Sequence, residues 1–190
     1  MKESTDEPAT VMCVIRHGDA GAHAALPHRD RLRPLTDKGK RQSKRAGRVL
    51  ARLGLSPQEI WSSKLVRAVE TAGIAAKAAD SLGARIETSD LAPDAAPERI
   101  VTARWGARPA APRAKARKGR SAKVPVTDVL WVVGHEPHLS LLIGHVTGAP
   151  PRAIRLGKGA VAVVEFPGRV AADAGRMTLL LPPAALKGLD

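Results

Sequence analysis

Two apolar segments of this sequence each end in a histidine that lies beside a glycine. The segment VMCVI runs into Arg16-His17-Gly18, and the segment VLWVV runs into Gly134-His135. An imidazole can act as a nucleophile or carry a proton near neutral pH. A guanidinium binds the oxygens of a phosphate through planar, bidentate hydrogen bonds. These residue types together predict chemistry on a phosphoryl group.

A second arginine joins these residues through the predicted topology. Arg67 lies at the opening of a predicted helix, directly after the short predicted strand EIWSS at residues 59–63. Ligands of an α/β sheet collect beyond the carboxyl ends of its strands, so we expect Arg67 to share one pocket with Arg16 and the two histidines. No metal site is predicted, because two arginines would repel a divalent cation and the spacing supplies no third ligand.

Strand and helix patterns alternate along the chain, which favours a layered α/β fold. The continuous apolar runs at residues 10–15 and 128–134 are typical of strands that are buried on both faces. Thr36 is the predicted N-cap of the first long helix. The other predicted strands are 59–63, 85–88, 159–166 and 177–181, and the predicted helices are 36–53, 64–83, 96–105 and 137–146. In helix 64–83 the predicted buried face consists of Leu65, Val69, Ala72 and Ala76.

The positive charge is concentrated in one segment. The chain carries a net charge of +13, and residues 104–124 contain eight lysines or arginines and no acid, which leaves +5 for the rest. This segment has little apolar surface to bury, so we interpret it as a mobile insertion within a single domain at residues 1–190. It is also a candidate contact for an acidic partner.

The remaining composition favours a cytoplasmic protein that does not enter a membrane. No apolar run approaches the length of a membrane span, and the acidic N-terminal segment lacks the features of a signal peptide. The only cysteine, Cys13, lies within an apolar strand, where it is interpreted as a packing residue.

Four motifs occur in a fixed order along the chain. They are RHGDA, RPLTDKG, SSKLVRAVETA and VVGHEP, and together they resemble the histidine phosphatase superfamily. In its length and in the sequences of its motifs, the chain is most similar to the short bacterial SixA-like phosphohistidine phosphatases. The similarity runs from about residue 11 to the last strand and leaves out the N-terminal tail and residues 104–124. Ser62-Ser63 stands where relatives often have Ser-Pro.

The resemblance implies a fold, a pocket and a covalent mechanism. The implied fold is a three-layer α/β/α sandwich with a mostly parallel central sheet and a phosphate pocket at the carboxyl ends of the strands. His17 is then the nucleophile that accepts the phosphoryl group. Arg16 and Arg67 bind phosphate, and His135 completes the pocket. The resemblance implies no metal and no other cofactor.

The expected reaction is hydrolysis of phosphohistidine through a covalent phosphohistidine on His17. The substrate is a phosphorylated protein that carries phosphohistidine, or a small phosphorylated molecule. Relatives that hydrolyse alkyl phosphates need a general acid, which would be Glu136 after the second histidine, or Asp94 or Glu98 on the segment after the second arginine. The first alternative is therefore a phosphatase of small phosphate monoesters on the same fold. The second is a polyanion-binding module with a vestigial pocket, in which residues 104–124 make the contact.

Three further polar residues have competing interpretations. Asp19 follows the RHG motif, where it is either a turn residue that orients Arg16 or a catalytic acid. His138 is expected to lie at a helix start without a chemical role. Arg33 is expected to stabilise the fold, with an acidic residue as a candidate partner.

Overall fold

The computed structural model describes residues 9–106, 126–150 and 153–190. These residues form six strands: β1 (Ala9–Arg16), β2 (Glu59–Ser63), β3 (Ala84–Thr88), β4 (Val126–Gly134), β5 (Val161–Phe166) and β6 (Arg176–Leu181). They also form six α-helices: α1 (Pro27–Arg31), α2 (Asp37–Arg52), α3 (Val66–Ala78), α4 (Glu98–Trp105), α5 (His138–Thr147) and α6 (Pro183–Leu189). The predicted alternation of strands and helices is confirmed, although the short helices α1 and α6 were not predicted.

One mixed sheet contains all the described strands, in the order β3-β2-β4-β1-β5-β6. The strands β3, β2, β4 and β1 are parallel to one another, whereas β5 runs antiparallel to both of its neighbours, β1 and β6. The four parallel strands therefore end at the same edge of the sheet. Arg16 ends β1 and Gly134 ends β4, so His17 and His135 follow neighbouring strands at that edge.

The sheet is covered by helices on both faces, which confirms the predicted three-layer sandwich. Alternate residues of β1 point to opposite sides, as the pleat of a strand requires. Cys13 and Ile15 join a core with residues of α2, α3 and α6, whereas Met12 and Val14 join a core with residues of α4 and α5. Since all four side chains are fully buried, the interpretation of a strand buried on both faces is confirmed.

The buried face of α3 differs from the predicted one. The core residues of α3 are Ala68, Ala72, Ala75 and Ala76, whereas Leu65 and Val69 are only partly buried. The reason is the close approach of α2, where a Cβ added to Gly47 would collide with the carbonyl of Ala75. Small residues at the helix interface permit this distance, so the predicted buried face is confirmed for Ala72 and Ala76 and was wrong for Leu65 and Val69. The helix also ends at Ala78 and does not reach residue 83.

Two further expectations concern regions away from the strand ends. The basic segment was predicted to begin at residue 104, but Arg104 belongs to α4 and pairs with Glu59 at 2.8 Å, so the boundary was set too early. Residues 107–124, on which the rest of that prediction depends, lie outside the described residues. Within the part of the chain that is described, no helix is both long and apolar enough to cross a membrane.

Candidate active site

The register of β1 and β4 brings the two histidines together. Arg16 lies opposite Gly134, and the backbone N–H of His17 donates to the carbonyl of Gly134 at 3.0 Å. The imidazole ring centroids of His17 and His135 are consequently 4.9 Å apart. Both side chains are buried, with 5% of His17 and 2% of His135 exposed. The predicted pairing of the two motif histidines at one point of the sheet edge is thus observed.

The orientation of His17 leaves one ring nitrogen as a base. Its Nδ1 lies 2.7 Å from the carbonyl oxygen of Gly18, which can only accept, so Nδ1 carries the proton and donates. The lone pair is therefore on Nε2. Burial is the main cause that lowers the pKa of His17 to about 3; the Gly18 carbonyl opposes this shift, and the positive charges of Arg67 and Arg16 contribute to it. His17 is accordingly a neutral imidazole at physiological pH.

Each arginine of the site is anchored by one nitrogen and leaves another unsatisfied. Nη1 of Arg16 donates to the carbonyl of Leu156 at 2.6 Å, and Nη1 of Arg67 donates to the carbonyl of Asp30 at 2.8 Å. The Nε atoms of both arginines are buried and have no hydrogen-bond partner among the described residues. A buried donor without a hydrogen-bond partner lowers the stability of the fold. Both Nε–H groups are therefore available to donate to a ligand acceptor such as a phosphate oxygen.

His135 presents the same kind of unsatisfied group. Neither of its ring nitrogens has a hydrogen-bond partner within the described part of the chain, although both are buried. Burial lowers the pKa of His135, and the neighbouring His17 and Arg67 lower it further. We call Arg16, His17, Arg67 and His135 the phosphoryl cradle; the structure brings all four predicted residues to the same sheet edge.

The glycine of the RHG motif is required by the packing of α2. A Cβ added to Gly18 would lie 2.5 Å from the carbonyl oxygen of Gly39, so no larger residue fits without a backbone shift. The N–H of Gly18 donates to Thr71 Oγ1 of α3 at 3.1 Å, and the N–H of Asp19 donates to Gln42 Oε1 of α2 at 2.8 Å. The loop after β1 is thereby held by both α2 and α3, which fixes the position of the His17 backbone.

Asp19 is part of the scaffold of this loop. Its Oδ1 pairs with Lys158 Nζ at 2.8 Å, and its Oδ2 accepts a hydrogen bond from Thr36 Oγ1 at 3.0 Å. The hydrogen bond from Lys158 is the main cause that lowers the pKa of Asp19 to about 2. Burial opposes this shift. An ionised carboxylate that is committed to two partners supports the turn-residue interpretation over that of a catalytic acid. Thr36 also caps α2 by accepting from Gly39 N at 3.2 Å, as predicted.

Asp30 is a site residue that the sequence pattern did not indicate. Its Oδ2 lies 3.3 Å from Arg67 Nη1, and its Oδ1 accepts from Arg33 Nε at 3.0 Å. Burial alone would raise the pKa of Asp30, but the N–H of Ala24 and the charge of Arg33 outweigh it and lower the pKa to about 2. Asp30 therefore orients Arg67 as an anion. The acidic partner expected for Arg33 is this carboxylate.

The carboxylates considered as general acids make no hydrogen bond to either motif histidine in the described residues. Glu136 Oε1 accepts from Ser140 Oγ at 2.7 Å and from Leu156 N at 3.1 Å. Asp94 is exposed and lines a cleft of about 490 Å³ that also contacts Arg67. Glu98 is exposed in the first turn of α4. Among the described residues, no carboxylate makes a hydrogen bond to His17 or His135.

His138 is more deeply buried than its expected place at a helix start suggested. It is the first residue of α5 and it is fully buried. Burial lowers the pKa of His138, so it remains neutral. As for metals, the described residues contain no cluster of three histidines, cysteines or acids that could hold an ion.

Comparison with known protein families identifies the class to which these motifs point. Residues 12–92 match the model of the histidine phosphatase superfamily (branch 1). This stretch contains Arg16, His17 and Arg67 of the cradle. The resemblance stated from the motifs is therefore confirmed over residues 12–92.

The structural comparisons extend the likeness to the whole described fold. A protein histidine phosphatase SixA complexed with tungstate superposes with a TM-score of 0.71 and 19% identity, over 93% of this chain and 99% of that one. A SixA structure from Agrobacterium tumefaciens gives a TM-score of 0.66 and 20% identity, over 93% and 99% of the two chains. The fold is thus that of the SixA structures, as the sequence motifs indicated.

A curated relative shares a shorter stretch of sequence. A 2,3-bisphosphoglycerate-dependent phosphoglycerate mutase from Nocardia farcinica is 52% identical over 46 residues, which are 24% of this chain and 19% of the mutase. The match spans only about a fifth of that relative's own length, so it concerns a local motif region.

Proposed function

We propose that this protein is a metal-independent phosphatase that hydrolyses phosphohistidine through a covalent intermediate on His17. The observation that carries the proposal is the neutral ring of His17 surrounded by buried donors without partners, on Arg16, Arg67 and His135. A dianionic phosphoryl group would satisfy these donors. The tungstate in the related SixA structure, an oxyanion of similar shape, supports this interpretation.

The first step is attack of His17 Nε2 on phosphorus. The lone pair of Nε2 forms a P–N bond while the bond from phosphorus to the leaving group breaks, and the leaving group departs with that electron pair. Arg16 and Arg67 bind the equatorial oxygens and stabilise their charge, and His135 contributes a further polar contact. Because the Gly18 carbonyl holds the proton on Nδ1, the ring is already in the tautomer required for attack.

The second step releases phosphate and restores the enzyme. Water attacks phosphorus, the bond to Nε2 breaks, and Nε2 regains its lone pair while the two protons of the water remain with the phosphate product. The neutral form of His17 is therefore regenerated without any other co-reactant. Its lowered pKa favours this outcome, since a weakly basic imidazole is a good leaving group.

The proposed substrate follows from the arrangement of the carboxylates. An alkoxide is a poor leaving group and needs an acid, whereas an imidazole that is protonated at its far nitrogen departs as a neutral molecule. Among the described residues no carboxylate makes a hydrogen bond to either histidine, and Oε1 of Glu136 accepts from Ser140 and Leu156. This arrangement favours phosphohistidine over alkyl phosphates.

A phosphatase of small phosphate monoesters is the second candidate. It is favoured by the cleft of about 490 Å³ next to Arg67, which has the volume of a small-molecule site and is lined by Asp94 as a potential acid.

The polyanion-binding alternative depends on residues 107–124, outside the described ranges, and is tested by nucleic-acid titration of the chain with and without them. A cytoplasmic location remains an expectation from the sequence.

A substrate panel separates these candidates. Initial rates would be measured on a phosphorylated histidine peptide and on alkyl and aryl phosphate monoesters, with H17A as the control for contaminating activity. We expect kcat/KM for the phosphohistidine peptide to exceed that for every alkyl ester by at least tenfold. A preference for an alkyl ester that disappears in D94N would instead establish the monoesterase with Asp94 as its acid.

A further inference from the structure

A cleft lies beside the phosphoryl cradle and has room for the part of a substrate that is attached to the phosphoryl group. It is bounded by α1, by the turn between β2 and α3, and by residues 89–94, and its volume is about 490 Å³. Arg67 lines this cleft and also belongs to the cradle. Arg16, His17 and His135 do not line it, so Arg67 is the link through which a bound phosphoryl group would place its leaving group beside this space.

Two cations of the cleft are free to act on a ligand. Arg31 and Lys64 both line it, both are exposed, and neither makes an ion pair with a residue of the described ranges. Asp30, by contrast, is already paired with Arg67 and Arg33. The remaining charge in the cleft is the exposed carboxylate of Asp94.

The walls between these charges are partly apolar. Pro27 and Leu65 line the cleft near the two cations, and Pro93 lies beside Asp94. Apolar walls with a few charged groups are characteristic of sites that recognise an organic group by its shape and its charge. Two free cations against one free carboxylate give the cleft a preference for a ligand with negative charge.

We propose that Arg31 and Lys64 select substrates whose leaving group carries a second anionic group in addition to the phosphoryl group. The shared chemistry is a carboxylate, which is supplied either by an acidic residue next to phosphohistidine in a protein or by a small carboxylated phosphate ester. This inference deepens the proposed function and rests on it for the position of the phosphoryl group. The opposing charge of Asp94 weakens the preference without reversing it.

The experiment compares matched substrates that differ by one carboxylate. One pair is a phosphohistidine peptide with Glu or Gln beside the phosphohistidine, and the other is phenyl phosphate with or without a carboxylate on the ring. R31A and K64A should each raise KM for the carboxylated member by about two- to fivefold, as expected for one exposed ion pair, with kcat unchanged. D94N should lower the same KM, since it removes a like charge.

Matched controls separate charge recognition from a general effect on the fold. R29A removes an exposed arginine of α1 and K77A removes an exposed lysine of α3, and neither residue lines the cleft. Both should leave KM unchanged. The effects of R31A and K64A should also diminish as the salt concentration rises. Equal KM values for the two members of each pair in the wild type would overturn the proposal.

The two pairs also distinguish failure of this inference from failure of the proposed function. Turnover of both peptides without a Glu preference would overturn the inference and leave the phosphohistidine activity intact. Turnover of esters alone, with a preference for the carboxylate that R31A removes, would overturn the phosphohistidine assignment and support the inference for the small-molecule source.

Discussion

The phosphoryl cradle and the wall of the adjoining cleft are built in different ways. The cradle histidines follow β1 and β4, whose side chains are buried on both faces of the sheet, and their distance is determined by strand register. The wall includes α1, which has no buried residue and is connected to the cradle through Asp30 and its ion pairs. The proposed chemistry therefore depends on residues held by the buried sheet, whereas the proposed selection of the leaving group depends on α1 and its ion pairs.

The largest expected effect is at the centre of the cradle. H17A should reduce turnover of the phosphohistidine peptide to less than about a hundredth of the wild-type rate, because it removes the proposed nucleophile of the covalent step. The measurement is kcat by phosphate release, with circular dichroism to verify the fold. A variant that retains a larger fraction of the rate would show that His17 is not the nucleophile.

The link between the two regions is tested at Asp30. D30A should lower the free energy of unfolding by about 3 kcal/mol, because it removes the carboxylate partner of Arg67, of which only 4% is exposed. D94A, an exposed carboxylate of the same cleft, is the matched control and should change stability by less than about 0.5 kcal/mol. Urea denaturation measures both. Equal effects of the two variants would mean that Asp30 does not hold Arg67.

The buried histidines make the free energy of unfolding of the protein dependent on pH. Burial lowers the pKa of His17 to about 3, below its value in the unfolded chain, so the unfolded chain binds more protons as the solution is acidified. The full stability is present above pH 6.5 and is lost as the pH falls towards 3. Between pH 7.5 and pH 5 this histidine should account for a loss of about 2 kcal/mol, given an unfolded pKa of about 6.5.

Urea denaturation at the two pH values measures this dependence, and H17N provides the comparison. The variant lacks the titrating group, so its loss of stability on acidification should be smaller than that of the wild type. An equal loss in both proteins would contradict a neutral, buried His17.

The smallest expected effect is that of a chelator. EDTA should leave kcat unchanged, because the cradle consists of arginines and neutral histidines, whereas vanadate should inhibit by occupying the same donors. Steady-state rates with and without each compound are sufficient. Inactivation by EDTA that added divalent ion reverses would overturn the metal-independent mechanism.

The cradle could be predicted from the sequence because its determinants are local. A continuous apolar run identifies a central strand, and the residues that follow parallel strands meet at one edge. Asp30 and Lys158 could not be predicted in this way. Both lie in polar segments without periodicity, and their partners, Arg67 and Asp19, are distant in the chain. The one weak signal was Lys158 between two glycines, directly before a strand.

The helix α3 shows a second limit of sequence patterns. Its buried face is formed by alanines because Gly47 of α2 approaches the backbone of Ala75. Hydrophobicity alone favours the larger Leu65 and Val69, which the structure leaves partly exposed. The distance between two helices depends on both sequences at once, so a pattern read from one helix cannot reveal it.

The covalent intermediate gives the most direct test of the central claim. The wild-type protein would be mixed with a phosphohistidine peptide, quenched within milliseconds at alkaline pH, digested, and analysed by mass spectrometry, with H17A treated in parallel. We predict an acid-labile phosphoryl group on the peptide that contains His17, absent from H17A. Rapid turnover with no phosphoryl group on His17, or with the group on His135, would contradict the account.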